Sequence, residues 1–323
     1  MINKEEQQYL DVLQELLDAP SKGDRTGTGT RALFCRQMRF DLSKSFPLLT
    51  TKKVFLKGVI VELLWFLRGD TNIQYLVQNN VHIWDEWAYD EYCKKMDNGS
   101  AFVDKFTQDE FIEKIKVDDK FAKEFGDLGD AYGKQWRNYG EVKVEVYEGT
   151  GLGGDYYDTI IAQKGFDQIA WLINEIKTNP DSRRLLVWAW NPQDHANKKS
   201  AVLPPCHMGF QVQILNGKLN LVWTQRSADT FLGTPFNIAS YAILTHLLAY
   251  HTGYEVGELV YEGHDVHLYD NHVEQAKLQL SREAYPFPQL KINYKESIFD
   301  YTLEDFEIVG YQSHAAIKAP IAV

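Results

Sequence analysis

Cysteine is scarce in this 323-residue chain, which has three: Cys35, Cys93 and Cys206. An odd, widely spaced set excludes a disulfide framework and suits a reducing compartment. Cations are in deficit too, with 34 lysines and arginines against 45 aspartates and glutamates, a net charge of −11. That balance excludes DNA as a partner and leaves at most weak RNA binding, because phosphate contacts need clustered cations. No apolar run approaches the roughly 18 residues of a membrane span, and the opening Met1-Ile2-Asn3-Lys4-Glu5-Glu6 is no signal peptide. A cytoplasmic protein without membrane contact is expected. Repeats and low-complexity linkers are missing as well. His264, His267 and His272 invite a zinc reading, yet neither H-E-x-x-H nor C-x-x-C occurs, so no metal is expected.

What is plentiful is core material: 44% of residues are hydrophobic and 13% aromatic. Helical spacing runs through 4–18 (Tyr9, Leu10, Leu13, Leu16, Leu17) and 57–68, which Gly69-Asp70 ends. Residues 82–92 put two tryptophans three apart, which on a helix would be one face. A further helix over 166–178 lines up Phe166, Ile169, Ala170, Ile173 and Ile176 before Asn179-Pro180 stops it. Residues 235–251 are apolar nearly all round and predict a buried central helix. Strands are expected over 33–42, 185–190, 208–215, 218–225, 255–262 and 266–269, with short ones near 290–292 and 306–309. Asn216-Gly217 between two alternating runs is a strong hairpin signal. The charged stretch at about 90–127 reads as a small helical surface insertion, and 141–162 as an excursion or hairpin without chemistry. The expected architecture is one α+β domain over 1–323, a large mixed sheet on a buried central helix.

Chemistry gathers around Leu203-Pro204-Pro205-Cys206-His207. Two prolines stiffen the approach to a thiol at a strand mouth, which suits a sulfur nucleophile. A small buried hydrophobe is the alternative. The hairpin returns Gln225-Arg226-Ser227-Ala228-Asp229 to the level of Cys206, adding a guanidinium fork and a hydroxyl fit for phosphate. Glu62 sits amid Val61, Leu63, Leu64, Trp65, Phe66 and Leu67. It is either the one solvent-facing residue of its helix or a general acid/base with raised pKa. Trp84 and Trp87, three apart, are core or a stacking surface for a heterocycle. The loop Asp24-Arg25-Thr26-Gly27-Thr28-Gly29-Thr30 is a turn or an anion loop, and Asn237 is part of a helix start or a reader of a pyrimidine edge.

Together these stretches closely resemble the folate-dependent thymidylate synthase family. The likeness runs in order nearly end to end. It includes Phe46-Pro47-Leu48-Leu49-Thr50-Thr51-Lys52, Ile83-Trp84-Asp85-Glu86-Trp87, Tyr132-Gly133-Lys134-Gln135-Trp136-Arg137, Ser182-Arg183-Arg184, Pro235-Phe236-Asn237, His267-Leu268-Tyr269 and Ala319-Pro320-Ile321-Ala322-Val323. The resemblance implies a methyltransferase that converts dUMP to dTMP, with 5,10-methylenetetrahydrofolate as carbon donor and reductant, through a covalent bond from Cys206 to uracil C6. It further implies catalytic roles for Glu62, Tyr132, His207, Asp229 and Arg226. By the same matching dUMP is held by Arg25, Arg226, Ser227, Gln225, Asn237, His267 and Tyr269, with Arg183 and Arg184 reaching across a homodimer whose interface is a sheet face. Lys52, Ile83, Trp84, Trp87, Asp229, Leu232, Gly233, Phe236, Ala322 and Val323 would line the folate site.

Departures from the pattern are local. Val54–Ile60 lacks a usual proline, His264 stands for a glycine, Trp188 for a small residue, and 145–161 is long. Two rivals are a pyrimidine-nucleotide hydroxymethylase, disfavoured for dCMP by Asn237 and Trp84, and a catalytically idle nucleotide- or RNA-binding protein.

Overall fold

In a computed structural model, residues 3–24, 27–98, 105–149, 155–197 and 202–321 are described. Arg25, Ala322 and Val323 lie outside them. Asn3 starts α1 (Lys4–Asp18) by accepting the Glu6 amide on its side chain, with Glu5 and Glu6 in the first turn at the positive end of the helix dipole. Its buried face holds the expected Tyr9, Leu10, Leu13 and Leu16, and also Val12 and Glu6.

β1 (Ser21–Lys22) pairs with β2 (Thr30–Asp41), and α2 (Leu56–Leu67) follows, buried continuously from Gly58 to Leu67. After α3 (Gln74–Gln78) comes α4 (Asp85–Asn98), and Trp84 precedes it. α5 (Gln108–Val117) and α6 (Asp119–Phe125) form in the charged stretch. Thr107 and Glu110 make a capping box for α5. Phe111, Ile115 and Ala122 are buried, Phe111 against Tyr92.

α7 (Tyr132–Arg137) precedes β3 (Val142–Gly149) and β4 (Asp155–Gln163), an antiparallel pair separate from the main sheet. The next helix corrects the expectation. Asp167 caps α8 (Gln168–Thr178), so Phe166 lies outside it, exposed, and Ala170 faces solvent; Gln168, Ile169, Leu172 and Ile176 are the buried set. The helix starts later than the periodicity suggested, so Leu172 takes the central position of the stripe.

β5 (Leu186–Trp188) and α9 (Pro192–Asn197) lead to the hairpin β6 (His207–Leu215) and β7 (Lys218–Asp229). Asn216 and Gly217 both have positive φ, 52° and 76°, as a right-twisted two-residue turn requires. α10 (Gly233–Thr252) then crosses over to β8 (Glu255–Tyr269), which joins the two strands expected there and runs parallel to β7. A parallel pair needs a long crossover, and α10 supplies it. α11 (Val273–Leu280), β9 (Gln289–Ile292) and β10 (Phe306–Val309) finish the chain.

The main sheet runs β1-β2-β8-β7-β6-β5, mixed in direction. One register row, Val187–Phe210–Trp223–Tyr261–Met38, faces inward, where Trp223 stacks on Tyr241 of α10 at 5.0 Å. Strand alternation turns Leu186 and Trp188 to the opposite face, where both are exposed.

Candidate active site

The β6–β7 hairpin builds the nucleophile's surroundings. Arg226 donates its backbone amide to the Cys206 carbonyl at 2.9 Å, which sets the two residues side by side. Its Nε donates to Pro205 O at 2.8 Å and one terminal nitrogen to Pro204 O at 2.9 Å. The guanidinium thereby grips the proline turn and ends 3.9 Å from Cys206 Sγ. Cys206 is partly exposed, unlike a core cysteine.

Tyr132, at the start of α7, places its phenol oxygen under the same residue. That oxygen accepts the Cys206 amide at 2.7 Å and the His207 amide at 3.4 Å. Burial, then the neighbouring Cys206, pushes the phenol well above its ordinary value of 10.0. His207 packs 5.0 Å from the Tyr132 ring, and burial drives its imidazole down to about 4, partly offset by a bond with Asn237. Asn237 also accepts from Gln225 at 3.3 Å, and Gln225 donates to Ser227 O at 3.0 Å. A polar chain thus runs from His207 through Asn237 and Gln225 to Ser227.

Glu62 is buried on α2, which removes the solvent-facing alternative. The Trp84 indole donates to it at 2.7 Å. Desolvation raises the carboxyl from 4.5 to about 7, with the indole bond opposing. Trp84 links this acid to the nucleophile: its ring lies 6.4 Å from Tyr132 and 5.4 Å from Trp87. Because Trp84 precedes α4, the pair does not ride one helix face.

At the far end of β7, Asp229 accepts the amides of Phe231 and Leu232 at 2.9 and 3.0 Å, shaping the turn into α10. Leu232, Gly233 and Phe236 stay partly exposed there, as do Ile83 and Trp87. Lys52 is turned inward, its ammonium donating to Phe231 O and lying 3.5 Å over that residue's ring. Burial lowers it to about 7, against the pull of Asp229. His267 pairs in register with Asp229 and meets the Tyr269 ring at 5.2 Å. Among the described residues, no group of three His, Cys, Asp or Glu side chains is placed to hold a metal.

Residues 7–323 match the family model described as thymidylate synthase. The chain belongs to the thymidylate synthase family. A thymidylate synthase of Leuconostoc mesenteroides is 46% identical over 100% of both chains. That of Mycoplasma mobile is 49% identical over 98% of this chain and 100% of its own.

Against the family's expected site, Arg183 and Arg184 stand apart. Both are exposed, and Gln211 donates to Arg183 O at 3.3 Å. Gln211 lies five residues along β6 from Cys206, roughly 17 Å at strand spacing. Within one protomer these arginines are not brought to the nucleophile. Two residues escaped the sequence reading. Glu6 is fully buried and accepts from the amides and hydroxyls of Thr50 and Thr51, at 2.9 and 2.6 Å and at 2.8 and 2.8 Å. It anchors the segment that carries Lys52, and its spacing with Tyr9, Leu10 and Leu13 was the available signal. His272 was weighed only as a metal ligand, and no pattern in sequence marks its actual contact.

Proposed function

We propose that the chain is a thymidylate synthase: it methylates dUMP to dTMP with 5,10-methylenetetrahydrofolate, giving dihydrofolate, through a covalent Cys206–C6 adduct. The carrying observation is the Cys206 thiol 3.9 Å from a guanidinium that is itself clamped to Pro204 and Pro205. A cation held beside a thiol favours thiolate, the attacking form.

Cys206 adds to C6 of the uracil, and the electron pair shifts to C5, which becomes the carbon nucleophile. Asn237, fixed by Gln225 and His207, orients the pyrimidine edge. His207, neutral in its buried setting, leaves the anionic charge to the arginines. Arg226 and Ser227 take the phosphate together with Arg25 and with Arg183 and Arg184 from a second protomer, while His267 and Tyr269 hold the ribose. After transfer, Tyr132 accepts the C5 proton through water, its oxygen being already beside the Cys206 amide. Glu62, protonated or ionised near neutrality, relays protons toward the folate and O4. Trp87, Leu232 and Phe236 give partly open apolar surface that suits an aromatic heterocycle, with Trp84 excluding water behind it. Bound there, the folate supplies both the one-carbon unit and the hydride. Lys52 and the terminal Ala322 and Val323 complete that side.

The working unit in this reading is a cytoplasmic homodimer joined through the exposed sheet face. Residues 1–323 form one catalytic domain with insertions near 90–127 and 141–162. No helix among the described residues is long and apolar enough to cross a membrane.

The test is to mix the protein with 5-fluoro-dUMP and methylenetetrahydrofolate and record an intact mass. Fluorine cannot leave C5 as a proton, so a ternary adduct mapping to Cys206 is expected, and none in Cys206→Ser. Nucleotide binding without any adduct sinks the proposal. Chromatography of the product from dUMP then separates methyl from hydroxymethyl.

A further inference from the structure

The C-terminal segment folds back along residues 49–54. Tyr311 donates its hydroxyl to Leu49 O at 2.7 Å, and the His314 amide donates to Thr50 O at 2.8 Å. Arg282 bridges Thr51 O and Ala315 O, both at 2.8 Å. Further on, His272 Nε2 meets the Pro320 carbonyl at 2.7 Å. A carbonyl only accepts, so Nε2 is the donor; proline has no amide to offer in its place. His272 is fully buried, and its Nδ1 is buried with no hydrogen-bond partner among the described residues. The ring lies between Phe231 at 5.5 Å and Tyr269 at 5.7 Å. Phe231 supports the Lys52 ammonium, and Tyr269 belongs to the nucleotide's ribose side in the proposed function.

The turn carrying His272, a 3-10 helix over Asp270–His272, also reaches Gly29 in the loop before β2. Asp270 accepts the Ser21 hydroxyl, lies 3.3 Å from Arg31 Nε, and donates its amide to Gly29 O at 3.1 Å. One turn therefore touches the loop after Arg25, the ribose-side tyrosine and the C-terminal segment.

We propose that His272 is a positioning residue for the folate half of the reaction. Its ε N–H, on the Pro320 carbonyl, sets the C-terminal segment against the walls formed by Tyr269 and Phe231. The kinetic consequence rests on the thymidylate synthase reading; the contact does not. His272→Phe keeps a ring and removes the donor, while His272→Gln places an amide donor near Nε2.

In the full chain, carboxypeptidase should trim the last residues about ten-fold faster in the Phe variant and near the wild-type rate in the Gln variant, followed by intact mass. That factor is what one buried hydrogen bond contributes. The folate KM should rise about ten-fold in the Phe variant while the Kd for dUMP stays within about twofold. Unchanged trimming, or a dUMP Kd that rises as far as the folate KM, overturns the proposal. Should either variant fold poorly, the ¹⁵N-histidine spectrum of the wild type decides: a solvent-protected His272 Nε2–H supports the contact and its absence overturns it. Faster trimming in a protein that forms no fluoro-dUMP adduct would leave the contact standing and remove the reaction.

Discussion

Glu62 titrates near neutrality because α2 surrounds it with apolar side chains and the Trp84 indole donates to it. Raised from 4.5 to about 7, the carboxyl is protonated in the folded chain where the unfolded chain has already released its proton. Its stabilising contribution is therefore full below about pH 4.5 and lost as pH rises through about 7. Glu62→Gln cannot titrate. Relative to wild type it should gain up to about 3 kcal/mol between pH 4 and 8, read by urea midpoints. Taking the variant-minus-wild-type difference cancels Lys52, which titrates in the same region. The same variant should lose about 10²- to 10⁴-fold in kcat and the limb of the pH–rate profile near 7. A retained limb would assign that titration to another group.

At the scale of elements, the site depends on contacts between segments far apart in sequence. Thr50 and Thr51 carry no apolar side chain into the core and are held by Glu6 of α1. Glu6→Ala strands buried amides and hydroxyls and should cost about 3 kcal/mol or more in unfolding free energy. Glu6→Gln, which keeps an acceptor, should cost less; equal losses from the two would argue that packing, not the carboxylate, holds the segment. Helix α1 was legible from its apolar period; the burial of Glu6 went unread although it falls on the same stripe. Its partners were further still from view, since nothing in residues 1–18 names Thr50. The start of α8 was missed because Phe166 extends the apolar period by one residue while Asp167 takes the cap.

For the whole molecule, the question is how Arg183 and Arg184 reach phosphate when β5 carries them away from Cys206. In the proposed function donation between protomers answers it, with the sheet face that exposes Leu186 and Trp188 assigned as the surface of that contact. Mixing Arg183→Ala/Arg184→Ala protein with Cys206→Ser protein tests this after subunit exchange. Heterodimers would own one site with both a thiol and the arginines, so about a quarter of all sites should regain activity. If the arginines act within their own protomer, mixing restores nothing. An active monomer in sedimentation would likewise end the shared-site reading.

Residue order alone determined much here. Apolar periods marked most elements, Asn216-Gly217 the hairpin, and that hairpin brought Arg226 level with Cys206, since local spacing is enough for contacts across a two-residue turn. In-order motifs along nearly the whole chain identified the family. Only the tertiary structure decided the environment of Glu62, because its two readings differ by what packs around α2. It also decided the placement of Trp84 before α4, the inward turn of Lys52 and the His272–Pro320 contact. These depend on solvent exclusion and on partners distant in sequence, which no local pattern records.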